Sequence, residues 1–321
     1  MTKIECFLTK KNKKKIPTTL TLILLLSISF LRAQECTLKV TSNINTDKSV
    51  SFTADKSAPG TFTIVLKFNT ISNCDNFPNE NYSVDYNHSN FLNLRPSNKE
   101  RGIGYSYTYT YIRGKLNPKY DPNFVYLLPY QKGAKVKVME AGFFNANYFG
   151  STTPSDWKVY RFFTNKADTV TVARKGIVVS VQDIYEETSE NLSFTSKINQ
   201  IDIEHEDGTI AKYRGFRKGV FVKVGQKVFP AEPLGVSSKT NSNGQYNISL
   251  MLTYLKSVDF ESVRNKNLKG YKSLYGFITP YFCTSENTNL ILENKAQYTA
   301  IAPIEIIKKE LTKRELKSFK L

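Results

Sequence analysis

At 321 residues, with 40% hydrophobic and 23% charged residues and a formal net charge of +17, the chain is long enough for two domains and too apolar to be disordered throughout. The basic balance favours acidic partners, but no helix-turn-helix, finger or RNA-binding motif is present, which argues against nucleic acid. Nineteen Tyr and 21 Phe favour strands.

The chain opens with a basic run, Lys10, Lys11, Lys13, Lys14 and Lys15, followed by an uncharged apolar stretch from Ile16 to Leu31. That stretch is shorter than the about 20 residues that comfortably span a bilayer. The order predicts a secretory signal peptide over residues 1–33, hence a secreted, periplasmic or cell-envelope protein with no integral membrane span after cleavage. An uncleaved anchor is the alternative. Residues 1–33 hold seven of the 45 basic and one of the 28 acidic residues, so the remainder keeps a net charge of +11. Cys6 leaves with the signal, and Cys36, Cys74 and Cys283 remain. Export permits disulfides. Cys36 with Cys74 is the expected pair, since both fall in the first predicted domain.

Residues 36–138 predict an N-terminal β-domain of sandwich type. Phe62, Ile64, Leu66 and Phe68 alternate with Thr63, Val65 and Lys67; Tyr105, Tyr107, Tyr109 and Tyr111 alternate with Ser106, Thr108 and Thr110. The tyrosine row reads as one half-buried sheet face or as a stacking platform for sugars. Residues 139–302 predict a second all-β unit. Its strand candidates lie at Val170–Val172, Ile177–Val181, Ile201–Ile203, Val220–Val224, Gly276–Cys283 and Leu290–Leu292, with a hairpin at Asp207-Gly208. Residues 303–321 carry Ile304, Ile307 and Leu311 at helical spacing, with six basic and three acidic residues over 304–321. A short docked helix and a solvated basic C-terminal tail both fit, and the composition favours the tail.

Five segments of the second unit carry a resemblance. They are Ala167-Asp168-Thr169-Val170-Thr171-Val172-Ala173-Arg174-Lys175-Gly176-Ile177-Val178-Val179, Asn199–Thr209 with its Glu204-His205-Glu206-Asp207-Gly208-Thr209 end, Tyr213-Arg214-Gly215-Phe216, Val222–Val228, and the run from Gly235 to Leu252. In this order and spacing they resemble the lysostaphin-like (LytM-type) zinc endopeptidases, which cleave peptide cross-links in bacterial cell walls. The resemblance implies the family's duplicated hybrid motif, a β-barrel or sandwich. It also implies a zinc held by a His, an Asp four residues later and the last His of an H-x-H, assisted by further imidazoles.

Carried over by position, the zinc chemistry is missing. Arg161 stands where the ligand Asp belongs, and Trp157 falls four residues before it. Asn247 and Ser249 occupy the H-x-H positions, and Gly215 replaces a catalytic His. The chain has two histidines, His88 and His205, and neither matches a ligand. Zinc lowers the pKa of its water from about 15.7 to about 7. A side-chain hydrogen bond, worth about 0.5–1.5 kcal/mol net, does not replace that. Asp202 and Glu204 alternate onto one strand face as an acid/base pair would, but a solvated strand edge explains them as well.

The expected product is a pseudo-peptidase without a cofactor, binding peptidoglycan or an envelope protein and regulating cell-wall hydrolysis. The candidate groove is Trp157, Arg161, Gly215, Tyr246, Asn247 and Ser249, with Tyr148 and Phe149 as further aromatic lining. An active zinc endopeptidase with misplaced ligands and a structural or adhesive surface protein are the alternatives.

Overall fold

The computed structural model describes residues 37–143, 153–187, 197–239, 245–261 and 273–318. The predicted signal segment, Cys36 of the predicted disulfide, and Tyr148 and Phe149 lie outside the described residues. Among the described residues no helix is long and apolar enough to cross a membrane.

Twenty strands follow in chain order: β1 Leu38–Ile44, β2 Val50–Lys56, β3 Phe62–Ser72, β4 Asn81–Val84, β5 His88–Leu94, β6 Gly104–Arg113, β7 Val125–Leu127, β8 Lys135–Glu140, β9 Tyr160–Thr164 and β10 Thr169–Thr171. Then come β11 Gly176–Gln182, β12 Asn199–Glu204, β13 Ile210–Phe216, β14 Lys227–Val228, β15 Pro233–Val236, β16 Ser238–Lys239, β17 Tyr246–Leu255, β18 Tyr275–Ile278, β19 Tyr281–Cys283 and β20 Gln297–Thr299. Two short helices close the described chain, α1 Ile304–Lys308 and α2 Lys313–Ser318. The protein is all-β, built of several sheets, as expected; the described strands form no closed barrel.

The residues divide into two compact units. One comprises the chain up to Ala58 with Leu66–Asn79 and Asn87–Thr110; the other comprises Pro59–Val65, Glu80–Tyr86 and the chain from Tyr111 onward. In the smaller unit β1, β2 and β5 make one antiparallel sheet. The Phe52 ring of β2 meets Phe68 of β3 at 5.6 Å and Tyr105 and Tyr107 of β6 at 5.7 and 5.1 Å, edge to face. Such pairs add about 0.5–1.5 kcal/mol beyond burial. The strands thus face one another as a sandwich, and the row's Tyr105 and Tyr107 are spent on its interior. Cys74 donates its thiol to the Asn76 carbonyl at 3.1 Å.

The larger unit is organised by one sheet in the order β14-β11-β12-β13-β17-β9-β8-β20, with β16 and β18 also paired to β17. Two small pairs, β10 with β15 and β19 with β7, supply Val170, Leu234, Tyr126 and Phe282 to the core. Against them the large sheet turns Val178, Ile201, Ile203, Tyr213, Ile248, Leu250 and Leu252. Period-two alternation sends the intervening side chains of β12, β13, β17 and β9 to the other face. Asp207-Gly208 forms the β12–β13 hairpin turn, Gly208 at φ +88°.

Three sequence expectations change here. Val220–Val224 is irregular chain, not a strand, although Val222 is buried; its Phe221 N–H bonds the Leu234 carbonyl. Leu290–Leu292 contributes a single bridge, Leu290 to Phe282. Asp202 and Glu204 are not a solvated edge, because β12 runs between β11 and β13 and both carboxylates are buried. Of the two readings of the C-terminal segment, the described part is docked: Ile307 and Leu311 are buried, and Ile307 packs on Leu127 and Cys283.

Candidate functional site

The second face of the large sheet carries the residues that sequence reasoning singled out. Ser249 on β17 pairs with Arg161 on β9 and, across its other edge, with Arg214 on β13. The register continues to Met139 on β8 beyond Arg161 and to Gln200 on β12 beyond Arg214. Directly opposed residues share a face. Arg161, Ser249 and Arg214 therefore stand in one row, each partly exposed. At the usual strand spacing the two arginine backbones are about 10 Å apart. Like charges on such close strands repel, and more strongly in a partly desolvated setting than in water.

Asn247 lies on the same face one register step away, opposite Phe163 and Ser238. It is buried, and its amide donates to the Gln245 carbonyl at 3.2 Å. Gly215 is the extra residue of a bulge: Asn199 pairs with Phe216 and Gln200 with Arg214, which leaves Gly215 between them at φ +110°. Trp157 precedes β9. Its Nε1 donates to the Ala141 carbonyl at 2.7 Å, and its ring meets Phe143 at 4.8 Å and Phe277 of β18 at 4.7 Å. Tyr246 does not join this group. Alternation along β17 puts it on the face opposite Asn247 and Ser249, where Arg217 and Lys239 lie over its ring at 5.4 and 5.3 Å.

Burial lowers the pKa of Arg161. For Arg214, burial is again the main lowering cause; Asp202 acts the other way, and the Arg161 charge adds to the lowering. The two guanidinium groups sense each other. Arg214 Nε is buried with no hydrogen-bond partner among the described residues. Asp202, the adjacent carboxylate, is committed: Lys212 donates to it at 2.7 Å and Gln200 at 2.9 Å. Glu204 accepts the Thr61 backbone N–H at 2.9 and 3.0 Å. Asp202 and Glu204 are thus tied into the fold and not poised as a proton-transfer pair.

Neither histidine reaches this row in the pairing pattern. His88 begins β5 and contacts Asp55 at 2.7 Å on the surface of the smaller unit. His205 is buried beneath the β12–β13 turn, its Nδ1 bonded to the Lys175 carbonyl at 2.8 Å. Burial, with the Arg174 charge second, pushes its pKa down to about 3. A zinc held by the implied family ligands does not fit these residues. A hydroxyl between two guanidinium groups and an amide already bonded to backbone form a donor-rich, cationic surface, whereas zinc takes His, Cys or carboxylate. Among the described residues no group of three or more His, Cys, Asp or Glu side chains is placed to hold a metal ion.

Sequence reasoning missed Arg214. It lay inside a quoted motif, one residue before the glycine that drew attention, and only the β13–β17 register brings it opposite Ser249.

No family model matches the chain. No curated protein matches it either. Five solved chains are similar to it; one is described as "a novel M23 metalloprotease pseudoalterin from deep-sea", at 18% identity over 56% of this chain and 97% of that one, with a TM-score of 0.29. At that level the likeness carries no functional conclusion.

Proposed function

We propose that this chain is a peptidase-like protein of the cell envelope whose peptidase-like face binds instead of hydrolysing, holding peptidoglycan or an envelope partner and regulating cell-wall hydrolysis. The segments resembling LytM-type peptidases supply β10 to β17 of one compact unit. One observation carries the loss of catalysis: Arg161 and Arg214 flank Ser249 on neighbouring strands. A divalent cation there would face two fixed positive charges in a partly desolvated setting, where they act more strongly than in water.

The test is metal analysis of the purified full chain together with digestion of isolated cell walls. The reading expects no stoichiometric zinc, no release of peptide fragments, and retention on the walls that survives high salt, which screens the +17 charge of the full chain. One zinc per chain with turnover that a chelator abolishes would overturn it. Retention lost with salt would leave only charge as the cause and would sink the binding role.

A further inference from the structure

The chain shows elsewhere how it treats a buried arginine. Arg174 is 4% exposed and saturated: it donates to Glu310 at 2.6 Å, to Asp207 at 2.7 Å and to the Tyr126 hydroxyl at 3.1 Å, and it lies over the Phe124 ring at 3.8 Å. Arg161 and Arg214 are treated differently. They are drawn together on one sheet face and partly buried; the Asp202 charge reaches Arg214, but its oxygens already accept from Lys212 and Gln200. Burying like charges side by side is unfavourable unless an anion completes the set. The Ser249 hydroxyl between them is a further donor.

We propose that Arg161, Ser249 and Arg214 form a binding site for the carboxylate of a peptide, its C-terminal group in particular. Guanidinium forks match carboxylate oxygens in a bidentate manner. The surroundings select the ligand. Two arginines whose backbones stand about 10 Å apart on either side of Ser249 can converge on one compact oxyanion and do not track a polymer of phosphates. Along β17 the partly exposed Met251 follows on this face; Thr253, four residues from Ser249, is buried, and Phe277 paired with it and Trp157 against Phe277 are the next partly exposed side chains. Four extended residues span about 13 Å. An extended peptide anchored by its terminal carboxylate therefore lays an apolar side chain on the aromatic pair. The proposal deepens the non-catalytic reading above and rests on it.

Trp157 is the sole tryptophan, so its emission reports on this face. The full chain is titrated with N-acetyl-leucyl-alanyl-alanyl-alanyl-alanine, whose leucine stands four residues before the carboxylate, with the same peptide as its carboxamide, and with inorganic phosphate, followed by calorimetry and by Trp157 emission. The acid is expected to bind saturably and at least tenfold more tightly than the carboxamide. Arg161→Gln and Arg214→Gln are each expected to weaken the acid at least tenfold, while the exposed Lys218→Gln leaves it unchanged. Arg214→Lys, which keeps the charge but loses the fork, is expected to fall between. Phosphate that competes with the acid supports an oxyanion site. Phosphate binding without acid binding overturns the peptide assignment, and equal affinity for acid and carboxamide overturns the site outright. The acid–carboxamide comparison uses the unaltered chain and stands even if a variant fails to fold. None of these measurements reads zinc or hydrolysis, so the site and the non-catalytic reading fail separately.

Discussion

The backbone at Gly215 sits at φ +110°, a conformation open to glycine and costly for residues with a Cβ. Gly215→His, which puts an imidazole where the resemblance places one, is therefore expected to destabilise the larger unit by about 1–3 kcal/mol in urea unfolding and to bring no zinc with it. Tyr213, two residues earlier, points into the core, where its hydroxyl accepts the Ala173 N–H at 2.9 Å. Tyr213→Phe leaves that amide unpaired and is expected to cost about 1–3 kcal/mol by the same measurement. Some of the site was legible at this scale. Asn247 and Ser249, two apart on a strand, had to share a face, and the same alternation excludes Tyr246. Arg214 was not legible, because a residue's neighbour across a sheet depends on a register that no local pattern records.

At the scale of elements, the C-terminal segment behaves as part of the core. Lys175 donates to Glu315 at 2.8 Å and to the Glu310 carbonyl at 2.8 Å, while Arg174 holds the Glu310 carboxylate. Glu310→Gln should loosen this attachment. Glu310 is 20% exposed and Asp207 still faces Arg174, so the expected loss is about 1–3 kcal/mol, less than breaking a fully buried pair. Protease sensitivity around residues 303–318 should rise with it. The helical spacing of Ile304, Ile307 and Leu311 was visible in the sequence. Counting charges concealed the docking, because the three acids are fewer than the bases but two of them, Glu310 and Glu315, meet Arg174 and Lys175 of the turn before β11. Alternating valines misled in the opposite direction at Val220–Val224, where chain that alternates in sequence bonds β15 through Phe221 without forming a ladder.

For the whole molecule, the shifted groups point to acid sensitivity. His205, held neutral by burial and by Arg174, takes up its proton near pH 3 when folded and near 6.5 when unfolded. Between those values the unfolded chain binds more protons, so stability falls as pH falls. Glu315, hydrogen-bonded first by Lys175, is lowered from 4.5 to about 2. Its contribution is present above pH 4.5 and is lost toward pH 2. Urea midpoints are expected to decline from pH 7 downward, more steeply below 4.5, and His205→Gln should flatten the upper part of that decline. The all-β architecture was legible because period-two patterning is local. The division into units was harder to read, since stretches at 59–65 and 80–86 belong with residues far along the chain. The terminal helix also has a chemical sentinel beneath it. Cys283 has no exposed surface and lies against Ile307 of α1. A thiol so enclosed reacts with an alkylating reagent only when its cover lifts. The speed at which iodoacetamide marks Cys283 at a fixed, mildly alkaline pH thus times the opening of the helix, and Glu310→Gln should quicken it before the rest of the molecule unfolds.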